Sequence, residues 1–99
     1  TVGLGGIYVE ILKDVAFRLP PIDRVEALEM LCELKTYPLL NGARGRAPAD
    51  IEALANCIER ISWLAVDLQE RVTELDINPL RVLAQGQGAR VVDALVVLK

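Results

Sequence analysis

The stretch Glu74-Leu75-Asp76-Ile77-Asn78-Pro79-Leu80 alternates polar and apolar side chains with the period of a β-strand, and this restricts the chain more than any other feature. Glu74, Asp76 and Asn78 point one way, Leu75 and Ile77 the other. A row of oxygen-bearing side chains beside Leu and Ile is costly to hold unless something binds it. Two readings fit. A hard cation such as Mg²⁺ takes carboxylate and amide oxygens and leaves positions open for phosphate. A half-exposed strand with a solvated polar face needs no ligand at all.

The next predicted strand, Ala89–Leu98, is reached through the turn Gln85-Gly86-Gln87-Gly88 and carries one carboxylate, Asp93, in an otherwise apolar run. Register decides what Asp93 meets. An even loop, Ala84–Gln87, pairs Leu83 with Gly88 and therefore Asn78 with Asp93, their Cβ atoms about 4.5–5.5 Å apart on one face. A loop one residue longer sends them to opposite faces. A satisfied buried Asp and a cap for the segment beyond are the other readings of Asp93.

Composition sets the frame. The 99 residues are 53% apolar and 25% charged, which predicts one small folded domain spanning 1–99. Aromatic residues make up only 4%, so the core is expected to be Leu, Ile, Val and Ala. The net charge of −3, with Lys and Arg scattered among the acids, argues against nucleic acid or an anionic membrane as partner. No apolar run reaches the ~20 residues of a membrane span. Cys32 and Cys57 fall in predicted helices without metal-ligand spacing and read as buried free thiols of a cytoplasmic protein. The chain has no histidine, which excludes a Ser-His-Asp triad and a histidine-ligated zinc within it. It begins Thr1-Val2-Gly3, as if already inside a strand or turn, and the expectation is a fragment of a longer polypeptide.

Along the chain, Gly3-Leu4-Gly5-Gly6 leads into Ile7–Leu12, whose β-branched apolar character predicts a strand buried on both faces. The glycines either approach a phosphate or form a plain turn; Tyr8 stands where the dinucleotide fingerprint needs a third glycine. Lys13-Asp14 forms a short turn and Val15–Leu19 returns antiparallel, with Glu10 either facing Arg18 or serving as a site carboxylate. Asp23, with Glu26 three residues on, caps a helix from about Arg24 to Lys35 that presents Val25, Leu28, Leu31 and Cys32 to a sheet. Tyr37-Pro38 stops it. The loop Asn41–Pro48 holds Arg44 and Arg46 among glycines, either an anion clamp or a solvated connection. A second helix, about Ala49–Glu70, starts at Pro48 with Asp50 and Glu52 in its first turn. Ile51, Leu54, Ile58, Ile61, Ala65 and Leu68 form its core stripe, while Trp63 and Val66 face another surface. The architecture is α+β, in the order ββααββ, with a mainly antiparallel sheet and two helices on one face.

Four blocks, in this order, resemble the C-terminal part of the ATP-grasp domain of ADP-forming (NDP-forming) acyl-CoA synthetases. They are Gly3–Glu10 with Lys13–Leu19, then Pro38–Gly45, Glu74–Leu80, and Val91–Ala94. Related protein lysine acetyltransferases carry the same region. The resemblance implies that Asn78 and Asp76 lie near the nucleotide phosphates, that Asp93 is the second Mg²⁺ ligand, and that Glu74 sits near the phosphate-transfer site. Glu10 and the glycine block fall in the site region without an assigned role. It also implies Mg²⁺ and ATP as cofactors of a parent ligase with CoA as co-substrate. The partners it implies are the rest of the ATP-grasp domain and the CoA-binding domains. Any phosphohistidine must come from outside this histidine-free chain. By this reading the 99 residues alone are inactive and form a homodimer to cover exposed apolar surface. The competing reading is a non-catalytic α+β module for ligand binding or dimerisation.

Overall fold

The computed structural model describes residues 1–99, the side chain of Arg44 excepted. The elements are β1 (Val2–Gly3), α1 (Ile7–Glu10), β2 (Val15–Ala16), α2 (Arg24–Glu33), α3 (Tyr37–Leu40), a 3₁₀ turn (Ala43–Gly45), α4 (Ile51–Asp67), β3 (Val72–Ile77), β4 (Leu80–Val82), β5 (Ala89–Val91) and β6 (Ala94–Leu98). Every strand pair is antiparallel: β1 with β2, β3 with β6, and β4 with β5. The α+β class therefore holds, but the strands form three two-stranded sheets instead of one, with α1 inside the N-terminal pair and α2 to α4 between that pair and a C-terminal ribbon.

The core is the seam between α2 and α4. Ala27, Met30, Leu31 and Leu34 are buried on one side and Leu54 and Ala55 on the other, with Ala16 and Ile22 closing the end. Those α2 positions follow i, i+3, i+4, i+7, one helical face. The expected face differs in part: Leu31 belongs to the buried face and half-buried Leu28 packs against it, but Val25 is 61% exposed and Cys32 is exposed as well. Small Ala27 lets the two helices approach, and α2 packs on α4 rather than on a sheet. Cys57 is half-buried, so neither free thiol is fully buried.

Both major helices are capped by aspartates. Asp23 accepts from Glu26 N–H at 2.8 Å, as predicted. Asp50 is the cap of α4 rather than a first-turn residue, accepting from Ala53 N–H at 3.1 Å. Of the predicted α4 stripe, Leu54 is buried and Ile51, Ile58, Ile61, Ala65 and Leu68 are half-buried, while Trp63 is 50% exposed. Arg24 pairs with Glu52 across the α2–α4 seam.

Ile7–Leu12 is not a strand. Residues Ile7–Glu10 form a single helical turn that starts after Gly6 at φ +67°, and Ile7, Ile11 and Leu12 are exposed. The partner of β2 is Val2–Gly3 instead. Arg18 accordingly pairs with Glu26 and Glu33 of α2 and not with Glu10. The helix α2 ends at Glu33, before Tyr37-Pro38, and Tyr37-Pro38 opens the short helix α3. The expected strand Ala89–Leu98 is interrupted at Val92-Asp93 and becomes β5 and β6. No helix among the described residues is long and apolar enough to cross a membrane.

Candidate functional site

From Glu74 to the turn the C-terminal ribbon keeps one register; it shifts by one residue only at a bulge between Val72 and Glu74. Asp76 faces Leu95 and Ile77 faces Ala94 in one ladder; Leu80 faces Val91 and Val82 faces Ala89 in the next. The gap between them does not slip. Asn78 N–H donates to the Asp93 carbonyl at 3.0 Å, Val92 N–H to the Pro79 carbonyl at 3.0 Å, and Leu83 N–H to the Gly88 carbonyl at 3.0 Å. The even register is thus the one adopted, and Asn78 stands opposite Asp93.

The gap does change which residues face the helices. Half-buried positions are Leu75 and Ile77 before it, then Leu80 and Val82 after it, a switch of parity at Asn78-Pro79. Two neighbouring pairs bond there, where a regular antiparallel ladder would bond only alternate ones. Asn78 and Asp93 therefore sit at an irregular step between β3 and β4. Glu74, Asp76, Asn78 and Asp93 are all exposed. Asp93 Oδ1 accepts from Ala94 N–H at 2.9 Å. Among the described residues none of Glu10, Glu74, Asp76 and Asp93 enters an ion pair.

A groove of about 1070 Å³ separates the ribbon from the helices. Leu54, Ile58, Ile61 and Leu75 give it apolar walls, and Glu10, Glu74, Asp76 and Asn78 also line it. Asp93 does not line it, so its link to the others is its pairing with Asn78. Gly3 to Gly6 line the groove too. Gly3, however, is held by packing: a Cβ there would lie 2.8 Å from the Asp14 carbonyl oxygen and 2.9 Å from Val9 Cγ2. Arg46 is exposed, and the side chain of the other arginine of its loop, Arg44, lies outside what the structure describes.

Two further aspartates organise these elements. Asp14 is buried beside the C-terminus of α2, accepting from Lys35 N–H at 2.8 Å, Thr36 N–H at 2.9 Å and the Thr36 hydroxyl at 2.6 Å. The Thr36 hydroxyl above all, with the two backbone N–H groups, holds the Asp14 carboxyl below its ordinary range against the opposing effect of burial. Asp50 accepts from Ala53 N–H with Oδ1, and with Oδ2 from Gly86 N–H at 3.1 Å and Gly88 N–H at 2.8 Å. The Gly88 N–H first, then Ala53 and Gly86, lowers its pKa as well. The expectation puts Asp50 in the first turn, although its place before an apolar helical run is a signal for a cap; no sequence signal marked Asp14.

Oxygen-only donors suit Mg²⁺, which binds through one or two carboxylates and takes the rest of its shell from water and phosphate. Asn78 and Asp93, with Asp76 beside them, fit that pattern. They do not fit an all-protein cage, since the described residues contain no cluster of three or more His, Cys, Asp or Glu side chains able to hold a metal ion.

The sequence model of the ATP-grasp domain matches residues 1–98. The β subunit of the ADP-forming acetate–CoA ligase II of Pyrococcus furiosus is 53% identical over 97 residues, which cover 98% of this chain and 41% of that subunit. The ADP-forming 4-hydroxybutyrate–CoA ligase of Nitrosopumilus maritimus is 48% identical over 94 residues, 95% of this chain and 13% of that enzyme. A Pyrococcus horikoshii crystal structure superposes with a TM-score of 0.91 at 48% identity, over 98% of this chain and 40% of that one. The dinucleotide-forming acetyl-coenzyme A synthetase 1 of Ca. Korarchaeum cryptofilum, in complex with coenzyme A and Mg-AMPPCP, superposes with a TM-score of 0.87 at 41% identity, over 98% of this chain and 44% of that one. The chain spans less than half the length of each of these relatives. With nearly its whole length matched and its relatives ADP-forming CoA ligases, the chain belongs to the ATP-grasp family.

Proposed function

We propose that residues 1–99 are the C-terminal subdomain of the ATP-grasp domain of an ADP-forming acyl-CoA synthetase, and that they supply protein ligands for the Mg²⁺–nucleotide phosphates. The observation that carries this reading is the register placing Asn78 opposite Asp93. Asn78 and Asp93 would hold the ion, with Asp76 next to them on the groove side. When bound, Mg²⁺ offsets negative charge on phosphate oxygens during phosphoryl transfer. Asp93 would contribute its carboxylate, one oxygen of which Ala94 N–H fixes, and Glu74, two residues before Asp76 on the same strand face, would extend the acidic row along β3. Glu10 borders the same groove without an assigned role.

The names of the relatives favour a ligase over an acetyltransferase parent or a non-catalytic module. A phosphohistidine segment is named for the Korarchaeum enzyme, and this histidine-free chain would receive such a segment from another part of the protein. Leu95, Val96 and Leu98 of β6 are 57%, 48% and 70% exposed, a surface suited to the remainder of such an enzyme or to a second copy of this chain.

The test is titration of the chain with Mg²⁺ and a non-hydrolysable ATP analogue, followed by NMR. Amide shifts at Asn78 and Asp93 that vanish in Asn78→Ala and Asp93→Asn support the assignment. Binding that survives both substitutions overturns it. Acyl-CoA formation by the 99 residues alone would refute the view that they need the rest of the ligase.

A further inference from the structure

The ribbon holds Asn78 opposite Asp93 only because its turn fixes the register, and the turn is intrinsically permissive. Gly86 and Gly88 adopt φ +85° and +89°, and glycine-rich hairpins specify register weakly. Something outside the ribbon must choose. The two sides of the turn are held by different groups. Backbone atoms grip the leading side: Asp50 N–H donates to the Leu83 carbonyl at 2.8 Å and Gln85 N–H to the Pro48 carbonyl at 3.0 Å. The returning side is gripped by the Asp50 carboxylate, whose Oδ2 takes both Gly86 N–H and Gly88 N–H. One residue, itself fixed as the cap of a 17-residue helix, thus holds both sides of the turn.

We propose that Asp50 is a positioning residue that locks the register of the ribbon and thereby keeps Asn78 and Asp93 opposed. The proposal rests on the reading of those two residues as metal ligands for its functional consequence, though not for the lock itself. Leu83 and Gly88 form the anchored pair; Asn78 and Asp93 lie five ladder steps away, about 17 Å along the strands. A slip of one residue at the anchored end moves one of the two ligands to the other face without altering the helical core.

Asp50→Asn separates this role from helix capping. Asn is as good a cap as Asp and keeps an acceptor for Ala53 N–H, but its amide NH₂ cannot accept from Gly86 and Gly88. Asp50→Ser is the second variant, retaining a cap on a side chain too short to reach the turn. Each is compared with the unaltered protein by helical circular dichroism, by cross-strand NOEs between residues 76–78 and 93–95, and by Mg²⁺ affinity from amide shifts. The expected result is native helicity, loss or doubling of the cross-strand NOEs, and Mg²⁺ binding weaker by about tenfold. Native NOEs in both variants, whatever the affinity, overturn the lock. Should the unaltered protein fail to bind Mg²⁺, the metal assignment falls while the NOEs still decide the role of Asp50.

Discussion

Ser62→Ala removes one hydroxyl and little volume, and its effect can be worked out from a single bond. Ser62 is 5% exposed on α4, and its Oγ accepts from Ile22 N–H at 2.9 Å, joining the helix to the segment that enters α2. The hydroxyl proton has two acceptors in reach, the Glu59 carbonyl at 2.7 Å and the Ile22 carbonyl at 3.2 Å. One proton serves one of them at a time, and the shorter bond is within the helix. Losing it costs little, because the Glu59 carbonyl belongs to the interior of α4. The Ile22 N–H is different. Ile22 is 6% exposed, and a buried donor stripped of its partner costs about 1–3 kcal/mol. At about 4–8 °C per kcal/mol for a chain of this size, a loss near 2 kcal/mol lowers the melting temperature by roughly 8–16 °C. Urea unfolding followed by circular dichroism and Trp63 fluorescence measures it, with the denaturant slope expected to stay constant. A variant within about 0.5 kcal/mol of the parent would mean that water reaches Ile22 N–H and that the bond does not hold the segment down.

The two candidate faces of α2 are told apart by a pair of substitutions. Met30→Ala, at a fully buried position of the observed face alone, is expected to cost about 2–5 kcal/mol, whereas Val25→Ala at a 61%-exposed one stays within about 0.5 kcal/mol by the same unfolding assay. Gly3→Ala forces a Cβ against backbone at 2.8 Å and is expected to destabilise by about 1–3 kcal/mol; a neutral result would show that β1 shifts freely. Asp14 is held below its ordinary value of 3.8, so between the folded and unfolded values the unfolded chain binds more protons and stability rises with pH. Its contribution is complete above the unfolded value and is lost as pH falls through the folded one. Asp14→Asn should flatten that acid limb in pH-dependent unfolding, and an unchanged limb rejects the assignment.

What could be read in advance follows from the range of the interactions. The periodic stripe of α4 and the Asp23 cap are local, and both are present. The ribbon register was narrowed to two parities for a related reason: the ladder is arithmetic on one hairpin, and Asn78 opposite Asp93 follows once Leu83 is opposite Gly88, but the sequence did not choose that pairing. Ile7–Leu12 failed because β-branched residues report a preference, and tertiary context overrode it. Gly6 at positive φ starts a helical turn and β2 finds its partner upstream in Val2–Gly3. The buried face of α2 runs through Ala27, Met30, Leu31 and Leu34, and Val25 and Cys32 lie off it, because the surface α2 meets is α4, a partner that no local pattern names. Asp14 and the turn contacts of Asp50 connect residues 21 to 38 positions apart, beyond any local pattern.

The carboxylates sort themselves by how many N–H and O–H donors they already serve. Asp14 and Asp50 each satisfy several donors from distant segments, and a cation placed on either would compete with the bonds that hold those segments together. Asp23 is occupied at its cap. Glu74 and Asp76, by contrast, accept no side-chain hydrogen bond among the described residues, and Asp93 accepts only from its neighbour Ala94. Acids engaged by the fold are thereby separated from acids it leaves unengaged; Glu10, Glu29, Glu59, Asp67 and Glu70 are also in the second group, and what sets Glu74, Asp76 and Asp93 apart is that they share a single ribbon with Asn78. The same division explains why the candidate ligands are exposed: a carboxylate kept ready for an ion must stay solvated until the ion arrives, because burying it unpartnered would cost more than a chain of this size can spare.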